Sequence, residues 1–374
     1  MTIQGKQAEQ RFTHQAKHGP SPLFSSHHIQ YPCPAGRTGC ANPMPYYWEA
    51  FCSFKTGWDN TWTDYMICPP EKQAAAADYY TSRRHIAGFD ELLDFTPCSL
   101  WPLISGRTLW IVGDSHTYDL YHAVACLMLD LWDYSFEGGS PIDGEEKAFE
   151  AMAEHVVHSK PPECLPLVGG TMICHFRVNH GQVLMGHALP LLERMSQPSD
   201  IAVVNFGAWH GSGDSADYQK LVKEFADAVA EKGERLPHFV WKEMVPTHYD
   251  QQHGLYPGGE PPYECKPLHV ALQDDGSIAA TDEWSQIIIE QGSHNKVARD
   301  VFSGTDIAMT SFWNATVEMW DFHRDIIDGR GHECGHYCFG GVPQVWVYHM
   351  YKAIAQASWA SPVHQHSAKA GTQE

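Results

Sequence analysis

From residue 107 onward, short apolar runs alternate with stretches of helical spacing. Thr108-Leu109-Trp110-Ile111-Val112 stops at Gly113, and His116 to Trp132 then carries Leu120, Val124, Leu127 and Leu131 at helical intervals. Asp200 to Asn205 is a second apolar run, followed by an amphipathic stretch from Tyr218 to Glu231, and His238 to Trp241 is a third. A helical stretch from Trp284 to Val301, a run from Ile307 to Phe312 and a closing helix from Pro343 to Ala357 complete the pattern, with Pro343 suited to a first helical turn. Short apolar runs bounded by turn residues read as strands buried on both faces. Their alternation with helices predicts an α/β fold, a parallel sheet flanked by helices. Sites in such sheets lie beyond the carboxyl ends of the strands.

The rest of the chain reads differently. Residues 1–30, rich in Gln, His and Ser, are expected to form a flexible arm, and residues 361–374 a tail. Residues 31–98 are rich in Pro, Cys and aromatics with little periodicity, which suggests an irregular segment stapled to the body at 99–360. Eleven cysteines imply a disulfide framework in an oxidising compartment, with the odd total leaving a thiol over; a cytosolic chain with buried thiols is the alternative. Asn314-Ala315-Thr316 is a glycosylation acceptor pattern. With 25 basic against 45 acidic residues the net charge is −20, which repels phosphate backbones and argues against nucleic acid as a partner. No apolar run approaches the ~18 residues of a membrane span, and the polar N-terminus shows no leader.

Three short stretches carry chemistry. In Gly113-Asp114-Ser115-His116, a serine stands at a turn from strand to helix, where helix-terminal amides favour developing negative charge; the plain alternative is a helix cap. Glu333-Cys334-Gly335-His336 sets a carboxylate three residues before a histidine, so one short turn supplies a base and the group that orients it. His336 is also simply one of 24 histidines. Asn205-Phe206-Gly207-Ala208-Trp209-His210 follows a strand, so Asn205 is placed either to donate to an oxyanion or to close an Asx turn. His332-Glu333-Cys334-Gly335-His336 matches a zinc-protease pattern as well, but that chemistry needs a helix, and Gly329, Gly331, Gly335, Gly340 and Gly341 oppose one; no metal is expected. Trp58, Trp62, Trp209 and Trp313 are candidate platforms for sugar rings or ordinary core residues.

Taken in order, these stretches resemble the PC-esterase branch of the SGNH (GDSL-like) hydrolases, which includes the plant trichome-birefringence-like and fungal capsule O-acetyltransferases. The matching blocks are Gly113-Asp114-Ser115 with Cys126, Asn205 to Trp209, Val245-Pro246-Thr247-His248 followed by Gly258-Gly259 and Cys265, and Glu333 to Pro343, across about residues 100 to 350. The resemblance implies an SGNH-like catalytic domain with Ser115 as nucleophile, His336 as base and Glu333 standing where the family has Asp. It implies an oxyanion hole from Asn205, the Ser115 N–H and a glycine after the next strand. Gly139 of Gly138-Gly139, following Asp133 to Phe136, is the candidate, with Gly169-Gly170 second. His248 and Trp209 are implied on the substrate side, a Cys265–Cys334 disulfide beside the base, and Cys126 and Cys338 tied to N-terminal cysteines. Departures are His116-Thr117-Tyr118-Asp119 after the serine and the shifted Trp209-His210 pair. The implied activity is transfer of acetyl groups to a polysaccharide or glycan, requiring an acetyl donor but no bound cofactor, in the secretory lumen (Golgi) or outside the cell. Acetyl ester hydrolysis and a non-catalytic glycan-binding role are the alternatives.

Overall fold

The computed structural model describes residues 66–360, apart from 87–88, 90, 211–214, 252–253, 255, 257–262, 276 and 326–331. The expected arm, most of segment 31–98 with Trp58 and Trp62, the Gly258-Gly259 pair and the tail lie outside the described residues. The central sheet contains β1 (Thr108–Gly113), β2 (Glu163–Leu167), β3 (Thr171–Arg177), β4 (Ile201–Val204) and β5 (His238–Trp241). A small antiparallel hairpin of β6 (Val270–Leu272) and β7 (Ile278–Ala280) precedes the last sheet strand, β8 (Ala308–Met309). β9 (His323–Asp325) and β10 (His332–Tyr337) form a separate antiparallel pair. The main sheet runs β2-β3-β1-β4-β5-β8, and every pairing in it is parallel except β2 with β3.

Successive strand residues face opposite sides, so each side of the sheet needs its own cover. Leu109, Ile111, Ile173, Ile201, Val203 and Val240 pack under α1 (Pro70–Ser82), α2 (Pro97–Ile104), α3 (Ser115–Leu127) and, near the C-terminus, a long helix at Val342–Gln356. Trp110, Val112, Cys174, Phe176, Ala202, Val204 and Trp241 pack under α4 (Glu146–Ala153), α5 (Leu189–Met195), α6 (Ser215–Lys232) and, beyond α7 (Glu283–Gln291), α8 (Ser293–Phe302). The Val342–Gln356 helix is α9. The architecture is α/β, with a mostly parallel sheet flanked by helices.

Several elements differ from the sequence reading. The expected helix from Trp284 to Val301 is two helices divided at Gly292, and the run from Ile307 to Phe312 pairs only through Ala308–Met309. Asp133 to Phe136 is not a strand: the Asp133 carboxylate accepts the Ser135 amide at 3.0 Å and closes a turn. The strand that flanks β1 on the side away from β4 is β3, which the sequence hides because His175 and Arg177 break its apolar run.

Among the described residues, disulfides join Cys68 to Cys338, Cys164 to Cys174 and Cys265 to Cys334, and Cys98 is also disulfide-bonded. Cys126 departs from expectation. It lies buried on the core face of α3 beside Val124 and Leu127, whereas Cys338 is tied to an N-terminal cysteine, Cys68, as expected. Backbone bonds from Phe339 to Met66 (2.7 Å) and from Cys68 to Phe339 (2.8 Å) reinforce that tie. No helix among the described residues is long and apolar enough to cross a membrane.

Candidate active site

Ser115 owes its position to Gly113. At φ +155° the chain leaves β1 against the Asn205 carbonyl, and a Cβ at Gly113 would lie 2.2 Å from that oxygen, so only glycine permits the turn. Asp114 then caps α3: its Oδ1 accepts the His116 amide at 2.9 Å and its Oδ2 the Ala208 amide at 3.3 Å. Ser115 is therefore the first residue of α3, with its amide among the unsatisfied N–H groups of the helix N-terminus.

The histidine that faces Ser115 comes from β10, 221 residues away in sequence. His336 Nε2 lies 2.6 Å from Ser115 Oγ. The other ring nitrogen, Nδ1, bonds the Glu333 Oε2. Residues three apart on a regular strand face opposite ways, but the β9–β10 pairing shifts register between Glu333 and Tyr337, and this bulge folds the carboxylate back onto its own strand. Glu333 also accepts the His336 amide (3.2 Å), the Gly335 amide (3.2 Å) and the Tyr249 hydroxyl (2.7 Å). A carboxylate accepts only, so Nδ1 carries the proton and the Nε2 lone pair faces the serine hydroxyl. Burial alone raises a carboxyl's pKa, yet the adjacent His336 and the bonds from it and Tyr249 hold Glu333 at about 2. Burial likewise disfavours charge on His336, but Glu333 outweighs it and raises the histidine above its ordinary value.

Two further groups hold this assembly, neither singled out by the sequence. Burial pushes His116 down to about 4, so its ring is neutral at pH 7 and its Nε2–H donates to the Gly335 carbonyl at 2.9 Å. That bond pins the bulge of β10 to the first turn of α3. Tyr249 fixes the far oxygen of Glu333 from a loop tied to β10 by the Cys265–Cys334 disulfide and by the His248 amide on the Cys334 carbonyl, 3.0 Å. Tyr249→Phe is expected to lower kcat on an acetyl ester about 10-fold, the scale of a hydrogen bond to a charged group, with KM unchanged. Replacing Cys265 and Cys334 by serine removes a crosslink spanning 69 residues, which is expected to cost about 4 kcal/mol in urea unfolding.

Other expected site residues fall as follows. Asn205 is buried beside Gly113. Its Oδ1 accepts the Gly207 amide (2.8 Å) and one Nδ2–H goes to the Lys242 carbonyl (2.6 Å), which leaves its second Nδ2–H. Trp209 is half-buried, next to the Ala208 amide that bonds Asp114. Trp313 is buried with Ile288 and Val317, a core residue and not a platform.

Gly139 is not brought to Ser115. It sits in an exposed turn beside Asp143, in a segment that leaves the sheet where Trp132 bridges Leu167, and Leu167 pairs with Thr171 at the start of β3. Gly169-Gly170 joins β2 to β3 at that same end, opposite the Gly113 turn. His248 is not open to a ligand either. Its Nε2 bonds the Val317 carbonyl (2.8 Å), and its Nδ1 meets His323 Nε2 (2.7 Å), whose Nδ1 faces the His336 carbonyl (3.0 Å). Burial pushes His248 down to about 4, so it supports the strand of His336 from behind. Residues 332–337 form a strand, so the helix needed by the zinc-protease pattern is not there.

No protein-family model matches the chain, and no curated protein matches it. Solved structures similar to it include Axe2, an acetylxylan esterase from Geobacillus stearothermophilus, at 10% identity over 70% of this chain and 99% of that one, with a TM-score of 0.33. A catalytic variant of the same esterase is similar at 10% identity over 69% of this chain and 97% of that one, with a TM-score of 0.32. At this level of likeness, residue roles come from the geometry of this chain alone.

Proposed function

We propose that the protein is a serine esterase of the SGNH type that removes acetyl groups from carbohydrate. The observation that carries this reading is the 2.6 Å approach of His336 Nε2 to Ser115 Oγ, with Glu333 on the opposite ring nitrogen. Ser115 Oγ bonds to the acetyl carbon as its proton passes to His336 Nε2, and the carbonyl electron pair moves to oxygen. That oxygen is met by the Ser115 N–H and the second Nδ2–H of Asn205. The carbon–alkoxy bond then breaks, His336 returns the proton to the departing sugar hydroxyl, and water releases acetate from Ser115 by the same steps.

Transfer to another sugar hydroxyl uses the same acetyl-serine, and the motif resemblance points that way. Exclusion of water separates the two outcomes. The His336 and Glu333 side chains remain 25% and 30% exposed, so water reaches the base, which favours hydrolysis. A carbohydrate substrate fits the aromatic flanks: Trp209 lies by the Asp114 cap, and Tyr256, 61% exposed, rests edge-on against Tyr249, the partner of Glu333. The disulfides suit a secreted or lumenal setting.

The test incubates the protein with acetylated and unacetylated xylo-oligosaccharides and para-nitrophenyl acetate as donor, read by mass. Loss of acetyl groups, each read as the mass of one C2H2O, from the acetylated sugar supports hydrolysis. Gain on the bare sugar overturns it in favour of transfer, and no change of either kind sinks the enzymatic reading.

A further inference from the structure

Parallel register determines what stands on either side of the nucleophile. β1 lies between β4, which leads into Asn205, and β3. Gly113 is level with Arg177, and the Val178 amide donates to the Gly113 carbonyl at 2.8 Å. β3 ends at Arg177, so Asn179, two residues on, leaves the sheet at the same end as Ser115, two residues past Gly113. Along β3, Cys174, Phe176 and Val178 pack on the α6 side, whereas Ile173 and His175 face α3, the latter against the rings of Tyr118 and Tyr121. Alternation within β3 puts Arg177 on the α3 side, and the bond from Arg177 Nε to Asn179 Oδ1 keeps the Asn179 side chain with it.

The orientation of the Asn179 amide follows from chemistry. Arg177 Nε donates to its Oδ1 at 3.3 Å, and because a guanidinium has no acceptor, the oxygen must face it and the NH2 group must point away. Asn179 is fully buried, and its Nδ2 has no hydrogen-bond partner. Buried donors are almost always paired, so one left open at the Ser115 end of the sheet is suited to a partner that arrives during the reaction. The glycine that follows, Gly181, directs its amide to His210 Nε2 at 3.4 Å, and Gly139 is remote.

We propose that the Asn179 side-chain amide donates to the tetrahedral oxygen formed on Ser115. It does so from the β3 side, opposite Asn205 on the β4 side, and takes the part expected of Gly139. The assignment rests on the acyl-serine reading above. When Ser115 Oγ bonds to the acetyl carbon, the carbonyl π pair becomes a lone pair on oxygen; that oxygen accepts the Asn179 Nδ2–H without proton transfer, and the bond is released when the intermediate collapses. Arg177 is a positioning residue that keeps the donor end of the amide turned toward the site.

Asn179→Ala, the equal-sized Asn179→Asp and Ser115→Ala are compared with the wild-type chain on para-nitrophenyl acetate, together with inhibition by methaneboronic acid, which forms a tetrahedral adduct on a serine. Both Asn179 variants are expected to lose about 10²–10³-fold in kcat with KM within about 3-fold, and boronate affinity should fall by a comparable factor. A kcat within about 3-fold of wild type, or a fall in kcat with boronate affinity unchanged, overturns the assignment. Should neither variant fold, the side-chain amide resonance of Asn179 in the wild-type chain is followed by NMR as boronate adds: a downfield shift supports the contact and a stationary signal overturns it. Turnover that needs Ser115 but not Asn179 removes this assignment alone. Turnover absent from the wild type, or kept by Ser115→Ala, removes the acyl-serine reading and this assignment with it.

Discussion

Ser115→Ala is expected to lower turnover of para-nitrophenyl acetate by about 10⁶-fold, the scale set by serine–histidine pairs that act as a unit, while the melting temperature stays near that of the wild type. Both halves of the expectation come from the local structure. The hydroxyl's partner is His336 Nε2 at 2.6 Å, so its removal takes away the proposed nucleophile and leaves the proposed base with nothing to deprotonate. Helix α3, however, is capped by Asp114, through the His116 and Ala208 amides. Ser115 is not the cap, and alanine is a better helix former than serine. His336 is in turn held by Glu333 and by the His116 bond to Gly335, neither of which needs the serine. The measurements are initial rates at saturating ester and a thermal melt followed by circular dichroism. Retention of a tenth or more of the wild-type rate would place the nucleophile elsewhere.

What the sequence disclosed and what it concealed divide along a physical line. Ser115 is written into a local pattern: a buried strand, a glycine at the only backbone angle the turn allows, an acidic cap, then a helix. Glu333 and His336 are legible because a single bulge needs only a few adjacent residues to bring carboxylate and imidazole together. The strands β1, β4 and β5 show because their apolar runs are unbroken. β3 is concealed because the last part of its α3 face is polar: His175 and Arg177 follow Ile173 there and break the apolar run. A site built at the end of a strand erases the pattern by which that strand is found.

Gly139 fails for the same reason. With β3 hidden, Asp133 to Phe136 reads as the next strand, and the glycine after it is misplaced with it. His248 and Tyr249 are adjacent in sequence but opposite in role: the first is sealed behind His336 and the second bonds Glu333. Which of two neighbours reaches a carboxylate 84 positions away depends on how the Cys265–Cys334 crosslink seats their loop, and residue type alone does not encode that. Cys126 illustrates the converse. Its spacing matches a motif, but helical geometry turns it into the core, where a thiol packs as a small apolar group.

Glu333→Gln is expected to lower kcat by about 10⁴-fold and to move the acid limb of the rate profile to lower pH. In the wild type, Glu333 accepts from His336 Nδ1, from the His336 and Gly335 amides and from the Tyr249 hydroxyl. An amide has one accepting end, so glutamine must turn its NH2 toward one side of this ring of donors. If that end meets His336 Nδ1, the histidine proton moves to Nε2, and the lone pair that should take the serine proton is lost. The pH shift follows from charge. His336 acts as base only when neutral, so activity appears as pH rises through its pKa, which Glu333 holds above 6.5. Without the carboxylate, burial dominates and the pKa falls, so the variant reaches its own lower plateau at a lower pH than the wild type. Stability carries the matching sign. A raised histidine contributes fully below 6.5 and loses that contribution as pH climbs through the raised value; a carboxyl depressed from 4.5 to about 2 contributes above 4.5 and loses it as pH falls toward 2. The melting-temperature gap between wild type and Glu333→Gln should therefore be widest between pH 4.5 and 6.5 and close on both sides. A variant whose acid limb stays where the wild type has it, with an even gap in melting temperature across that range, would mean that another group sets the protonation of His336.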